Sequence, residues 1–273
     1  MPIEYQIPLI ASSDPLNNAS NITQNGSRFT VNFSRPIIVP KDAEYCWLTV
    51  EQGTVVFNTP NILTDVNDKI TIYFNNGVDP ILQYDLVIAK GLYDVDHLQS
   101  AIQQQLTNMG AASDAIQLIP DTATQRLSIK FRQYYQVDLT VADNFSNILG
   151  FDERLVPLTP AAIDNQYEPG DREARFNTIL YYLIHSDLAG GYGIRVNNRF
   201  RDVILEVPIN NVNAGSQISY EPQNLQKVPS PTLIGKIVRE ANFYLTDDRS
   251  NPVDTLNEIW SVRLNIHYFM KEK

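Results

Sequence analysis

From Trp260 to Tyr268 the chain alternates without a break. Trp260, Val262, Leu264, Ile266, Tyr268 and Met270 form one set, and Ser261, Arg263, Asn265 and His267 fall between them. A strand sends successive side chains to opposite faces, whereas a helix repeats every 3.6 residues. This run therefore has to be a half-buried antiparallel strand, with one face on a core and one in water. Shorter runs behave in the same way. "RFTVNF" aligns Phe29, Val31 and Phe33, "DKITIYF" aligns Ile70, Ile72 and Phe74, and "ILQYDLVIAK" aligns Leu82, Tyr84, Leu86 and Ile88. "EYCWLTVEQ", "ARFNTILYYLIHSDL", "RFRDVILEVPI" and "GKIVREANFYLTDD" complete the series. The connections carry Pro, Gly, Asn and Asp, as in "SRPIIVPKD", "NTPNILTDVND" and "NNGVDP".

One segment breaks the period. In "GLYDVDHLQSAIQQQLTNMG", Gly91 to Gly110, the stripe Val95, Leu98, Ile102, Leu106 has helical spacing. Asp94 is placed to cap the helix, Tyr93 and Leu98 to staple it, and Gly110 to end it. A helix of this length is marginal alone in water, so the stripe needs a surface. The hairpin in "AIQLIPDTATQRLSIKF" and the strand "YQVDLTV", within 115–141, are expected to provide it. "DNFSNILGF" adds a short helical turn capped by Asp143 and ended by Gly150.

Four strands precede this region and four follow it. The expected fold class is mainly β: a single jelly-roll β-sandwich of eight antiparallel strands, with a small α+β insertion subdomain between the fourth and fifth strands. The expected divisions are a flexible or neighbour-ordered N-terminal arm at 1–27, a jelly roll at 28–89 and 153–273, and the insertion at 90–152. Val95, Leu98, Ile102 and Leu106 are the expected insertion core. "DERLVPLTPAAIDNQYEPGDREA" has no period and is expected to be exposed or pinned by another subunit.

The chain has 273 residues and a formal net charge of −10. That acidity and the lack of a basic run argue against direct nucleic-acid contact. The single cysteine, Cys46, leaves no internal disulfide and is expected to be a buried structural thiol. "MPIEYQIPLI" has neither the basic nor the apolar region of a signal peptide, and no apolar run is long enough to cross a bilayer. The N-x-S/T sequons at Asn18, Asn21, Asn25, Asn32 and Asn144 are then read as chance.

Residues of catalytic type do not assemble into a pattern. His97, His185 and His267 lack metal-ligand spacing, and the His-x-His pair of cupins is missing. His185, Ser186 and Asp187 are adjacent on a strand, so they cannot converge as a triad does. "AGGYG" at 189–193 is neither of the two phosphate-binding glycine motifs. "DVNDK" at 65–69 lacks the glycine and glutamate of a calcium loop. Asp152 with Glu153, and Asp247 with Asp248, read as solvated turns. Tyr134–Tyr135 and Tyr181–Tyr182 each read as one core and one outer ring. No enzyme activity, metal or cofactor is expected.

The order of elements carries a resemblance. Strands, then "GLYDVDHLQSAIQQQL", a hairpin with "DTATQRLSIKF", then "NFSNILGF", resemble the insertion of penton proteins. These are the vertex minor capsid proteins of virophages and polinton-like double-stranded DNA viruses. "DTLNEIWSVRLNIHYF" resembles that family's final strand, and "SQISYEP" resembles a loop before its last two strands. The resemblance covers most of 28–271. It implies a homopentamer at the five-fold vertices of an icosahedral capsid, beside a major capsid protein of double-jelly-roll type. It also implies assembly in the host cell, a place in the virion, and an insertion forming an outer subdomain. The contrasting expectation is a receptor- or carbohydrate-binding β-sandwich such as a fibre head.

Overall fold

The computed structural model describes residues 3–176, 179–191, 193, 195–196, 199–200, 202–210, 212–213 and 215–270. The chain divides into two compact units. One is Met1–Thr59 with Ile179–Lys273, and the other is Pro60–Thr178. Both are built mainly of antiparallel strands.

The first unit is a β-sandwich. In one sheet Ile3–Ser12 pairs with Ser261–Met270, which pairs with Ala43–Val56, and both Gln217–Tyr220 and Lys227–Pro229 pair with the far edge of Ala43–Val56. In the other the order is Val203–Pro208, Tyr181–Ser186, Ile237–Asp247, Arg28–Ile38, Ala19–Ser20. The first sheet buries Leu48, Val50, Leu264 and Ile266, and the second buries Phe29, Phe243, Leu205 and Val207. The inner faces meet at Gly53. A Cβ there would lie 2.4 Å from Leu205 Cδ2 and 3.1 Å from Ile184 Cδ1, so any larger residue would have to displace those side chains. Trp260, just before the last strand, is buried edge-on against Phe29 at 4.7 Å.

The N-terminal segment departs from expectation. Ile3–Ser12 is not an arm but an edge strand, in register with the last strand from Ile3↔Met270 to Ser12↔Ser261. Its alternation of Ile3, Tyr5, Ile7, Leu9 and Ala11 is followed by a polar stretch that obscures it. Pro8 is tolerated because an edge strand has one row of backbone groups without a ladder partner. The polar stretch is also tied down. Asp14 Oδ1 accepts from Leu16 N, Asn25 Oδ1 accepts from Ser27 Oγ at 2.7 Å, and Trp260 Nε1 donates to the Gly26 carbonyl.

The second unit is wider than the expected 90–152 insertion. Lys69–Phe74 and Leu82–Val87 do not join the sandwich. They form a sheet with Tyr135–Asp138 and Leu155–Val156. Alternation marks a strand but not its partner, and here Ile70, Ile72 and Leu86 bury against the helical stripe. Three long strands, not four, therefore precede the break. The supposed loop at 152–174 is also structured, because Gln166–Glu173 pairs with Arg126–Phe131, which pairs with Ile116–Asp121. Asp171 anchors that segment. Its carboxylate accepts from Asp152 N at 2.9 Å and faces Arg154, and these two contacts hold it below the usual carboxylate range. "SQISYEP" is likewise a strand rather than a loop, Gln217–Tyr220.

Ser146–Leu149 is a single helical turn, with Ile148 and Leu149 buried. Its N-cap is Phe145, not Asp143, and it has no side-chain cap; the preceding Asn144 instead accepts at Oδ1 from Ser146 N at 2.9 Å. Gly150 ends it at φ +81°, and a Cβ there would lie 2.4 Å from the Arg172 carbonyl oxygen. Gly150→Ala should therefore cost more than the roughly 1–2 kcal/mol of a left-handed L-residue, because the backbone clash adds to it. Urea denaturation followed by circular dichroism measures this, and a loss under about 1 kcal/mol contradicts it.

Candidate functional site

The helix Val95–Asn108 is the organising element of the second unit. Asp94 Oδ1 accepts from His97 N at 2.8 Å, which satisfies one of the open amides of the first turn. Leu98, Ile102 and Leu106 are fully buried in one core with Ile72, Leu118, Ile129, Phe131 and Val137, and Val95 packs half-buried at its margin. Tyr93 packs beside it, and its hydroxyl donates to the Ala89 carbonyl at 2.9 Å.

Two glutamines give the helix a second role. Gln105 Oε1 accepts from Val87 N at 3.0 Å, and its amide donates back to the Val87 carbonyl. Gln99 Oε1 accepts from Leu118 N at 2.6 Å, and its Nε2 donates to the Ile116 carbonyl at 3.2 Å. Leu82–Val87 and Ile116–Asp121 are edge strands of two different sheets. Each amide side chain presents the donor and acceptor that a neighbouring strand would. The helix thus covers two edges that would otherwise be open to pairing.

The residues of catalytic type lie apart. His97 is exposed and pairs with Asp94 at 2.9 Å. His185 is buried, with Nε2 2.9 Å from Thr246 Oγ1 and its ring stacked on Tyr244 at 4.1 Å. Ser186 Oγ accepts from Leu188 N, and Asp187 accepts from Asn242 N and Nδ2, so the three adjacent residues serve three local contacts. His267 bridges Glu4 Oε1 and Thr49 Oγ1, both at 2.8 Å, on the first sheet of the sandwich.

In the 65–69 turn, Lys69 Nζ sits 3.1 Å from both Asp65 and Asp143, and Asp68 Oδ2 accepts from Asp65 N. Among the described residues no group of three or more His, Cys, Asp or Glu side chains is placed to hold a metal ion. Asp247 accepts from Arg249 N and Asn251 N as a turn, and Asp152 lies 3.5 Å from Arg172. In the 189–193 glycine segment Ala189 closes a short 3-10 turn, and Tyr192 lies outside the described residues.

Burial pushes the Cys46 thiol up to about 11, so at neutral pH it is protonated and poorly nucleophilic. Burial likewise pushes Tyr182 up to about 12, although its hydroxyl pairs with Thr59 Oγ1 at 2.8 Å. Tyr181 is half-buried beside it, Tyr135 is buried, and Tyr134 is exposed at φ +74°.

A cleft of about 380 Å³ in the sandwich was not anticipated. It arises from a register mismatch. Tyr220 pairs with Gly53 and Lys227 with Thr49, so six residues, Glu221–Gln226, face only the three residues Val50–Gln52. The excess bulges away from the sheet. Opposite it lies the edge strand Val203–Pro208. Three consecutive residues of that strand, Ile204, Leu205 and Glu206, line the cleft. Neighbouring strand residues point to opposite faces, so such a wall is the strand's open edge. The amide-rich "YEPQNLQK" was the only mark of this in the sequence, and it reads as an ordinary loop.

No family model matches the chain. No curated protein matches it. Among solved structures it is similar to the crystal structure of selenomethionine-labelled mavirus penton protein. The TM-score is 0.48 and the identity 15%, over 97% of this chain and 99% of that one. At that likeness no residue here takes a role from that protein. No helix among the described residues is long and apolar enough to cross a membrane.

Proposed function

We propose that the chain is a structural capsid protein that forms homopentamers at the five-fold vertices of an icosahedral virus and abuts a double-jelly-roll major capsid protein. The observation that carries this reading is the nesting of the sandwich strands. Taking Gln217–Tyr220 and Lys227–Pro229 as one interrupted strand, there are eight principal strands in the first unit. The first pairs with the eighth, the second with the seventh, the third with the sixth and the fourth with the fifth. A single hairpin ribbon rolled up on itself gives this pairing, and so supports a single jelly roll.

Viral capsid proteins, lectins and cupins use that architecture. The elements that resemble pentons favour the first. They lie in the second unit as a helix, a hairpin and a Gly150-terminated turn, in the order the resemblance requires. On this reading Pro60–Thr178 is the insertion subdomain, Val95, Leu98, Ile102 and Leu106 belong to its core, and the protein resides in the virion after assembly in the host cell. The role is structural rather than enzymatic.

Light scattering on the purified chain tests the proposal. A species near five times the 30.9 kDa of one chain is expected. A stable monomer at high concentration, or a closed dimer or trimer, contradicts it. A ring of five uses a heterologous contact, so one patch substitution should break every interface at once.

A further inference from the structure

We propose that the cleft beside the Val203–Pro208 strand binds a neutral carbohydrate. Five side chains with polar groups line it: Glu206, Tyr220, Gln223, Asn224 and Gln226. Among the described residues none of these five side chains makes a hydrogen bond or ion pair within the chain. Three amides offer donors and acceptors together, and the carboxylate adds two acceptor oxygens. A sugar hydroxyl is also donor and acceptor at once, so a run of adjacent hydroxyls matches this mixed set.

Pro208 and Pro222 are each half-buried and supply an apolar surface beside the buried Val50. The C–H face of a pyranose ring requires such a surface, and Tyr220 adds an aromatic one beside it. A volume of about 380 Å³ lies within the range of small-ligand sites. Among the described residues no Lys, Arg or His lines the cleft. The exposed Glu206 lines it, and the chain carries a net charge of −10. The electrostatics therefore favour neutral over sialylated or sulfated sugars.

An extended peptide added to the open strand edge is the competing occupant. It would be recognised chiefly by the backbone of Val203–Pro208. The uncommitted groups here are side chains, and four of the five lie on the facing segment Tyr220–Gln226, so the sugar is favoured.

The test is saturation-transfer difference NMR with isothermal titration on the full chain. The probes are the methyl glycosides of glucose, galactose, mannose and N-acetylglucosamine, with sialyllactose as the anionic comparison. At least one neutral glycoside should bind at millimolar concentration, and sialyllactose should not. The double substitution Asn224→Ala with Gln226→Ala should weaken binding about tenfold or more, as expected for losing one or two hydrogen bonds to ligand. If that variant misfolds, the isosteric Gln226→Glu carries the same test, because it removes the amide donor without changing shape.

Absence of binding by all four glycosides overturns the proposal. So does binding that the cleft substitutions leave unchanged, tighter binding of sialyllactose, or capture of an extended peptide at the cleft in place of sugar. The inference is separable from the capsid reading, since a pentamer that ignores sugars, or a monomer that binds them, would sink one and leave the other.

Discussion

Replacing Trp260 with alanine is expected to remove about 3–5 kcal/mol of stability, as loss of a fully buried aromatic side chain generally does. Three contacts converge on this residue. Its ring meets Phe29 edge-on at 4.7 Å, its Nε1 donates to the Gly26 carbonyl at 2.9 Å, and its backbone N donates to Ser13 Oγ at 2.9 Å. It thus joins the last strand to both ends of the polar segment between Ile3–Ser12 and Arg28–Ile38. Trp260→Phe should retain much of the packing while leaving the Gly26 carbonyl short of a donor, at a cost of about 1–3 kcal/mol. Urea denaturation followed by far-ultraviolet circular dichroism measures both variants. A loss below about 1 kcal/mol for the alanine variant would sink the assignment of Trp260 as a keystone of the sandwich core.

The second large effect is expected in the other unit. Leu106 is fully buried in the core formed by the helix and the two sheets of Pro60–Thr178. Leu106→Ala should cost about 2–5 kcal/mol, the lost transfer energy plus a cavity that the surrounding strands only partly close. Hydrogen exchange locates the damage. Amides of Lys69–Phe74 and Arg126–Phe131 should lose protection, while those of Ser261–Met270 keep theirs. Equal loss in both units, or none in either, would show that the helical stripe is not the core of a separately cooperative unit.

These residues also show what could be read directly from the chain. The helix was legible because its stripe, its Asp94 cap and its Gly110 stop agree with one another, and each is a local property. The last strand was legible because five apolar positions, Trp260 to Tyr268, alternate without a gap. What escaped was pairing. Ile72 and Leu86 alternate whether their strands lie in the sandwich or against the helix, and only packing against Leu98 and Ile102 decides between them. The first strand was missed because Pro8 and the polar run after Ser12 mask a real alternation, whose partner lies some 250 residues away (Ile10 faces Arg263). The cleft was invisible for a related reason. Gln223, Asn224 and Gln226 look like any solvated loop until the register with Val50–Gln52 shows that three residues are in excess.

The pairing of Ile3–Ser12 with Ser261–Met270 sets an order on biosynthesis. The sandwich cannot close one of its sheets until the strand at 261–270 has left the ribosome, because that strand lies between the first strand and Ala43–Val56. Pro60–Thr178 is uninterrupted in sequence and is complete about a hundred residues sooner. The nascent chain therefore carries a finished Pro60–Thr178 unit while its earliest strands still wait, with unpaired edges, for partners not yet translated. Such long-range closure is slow and exposes aggregation-prone edges. Slower elongation or chaperone shielding before residue 261 should accordingly raise the yield of this protein.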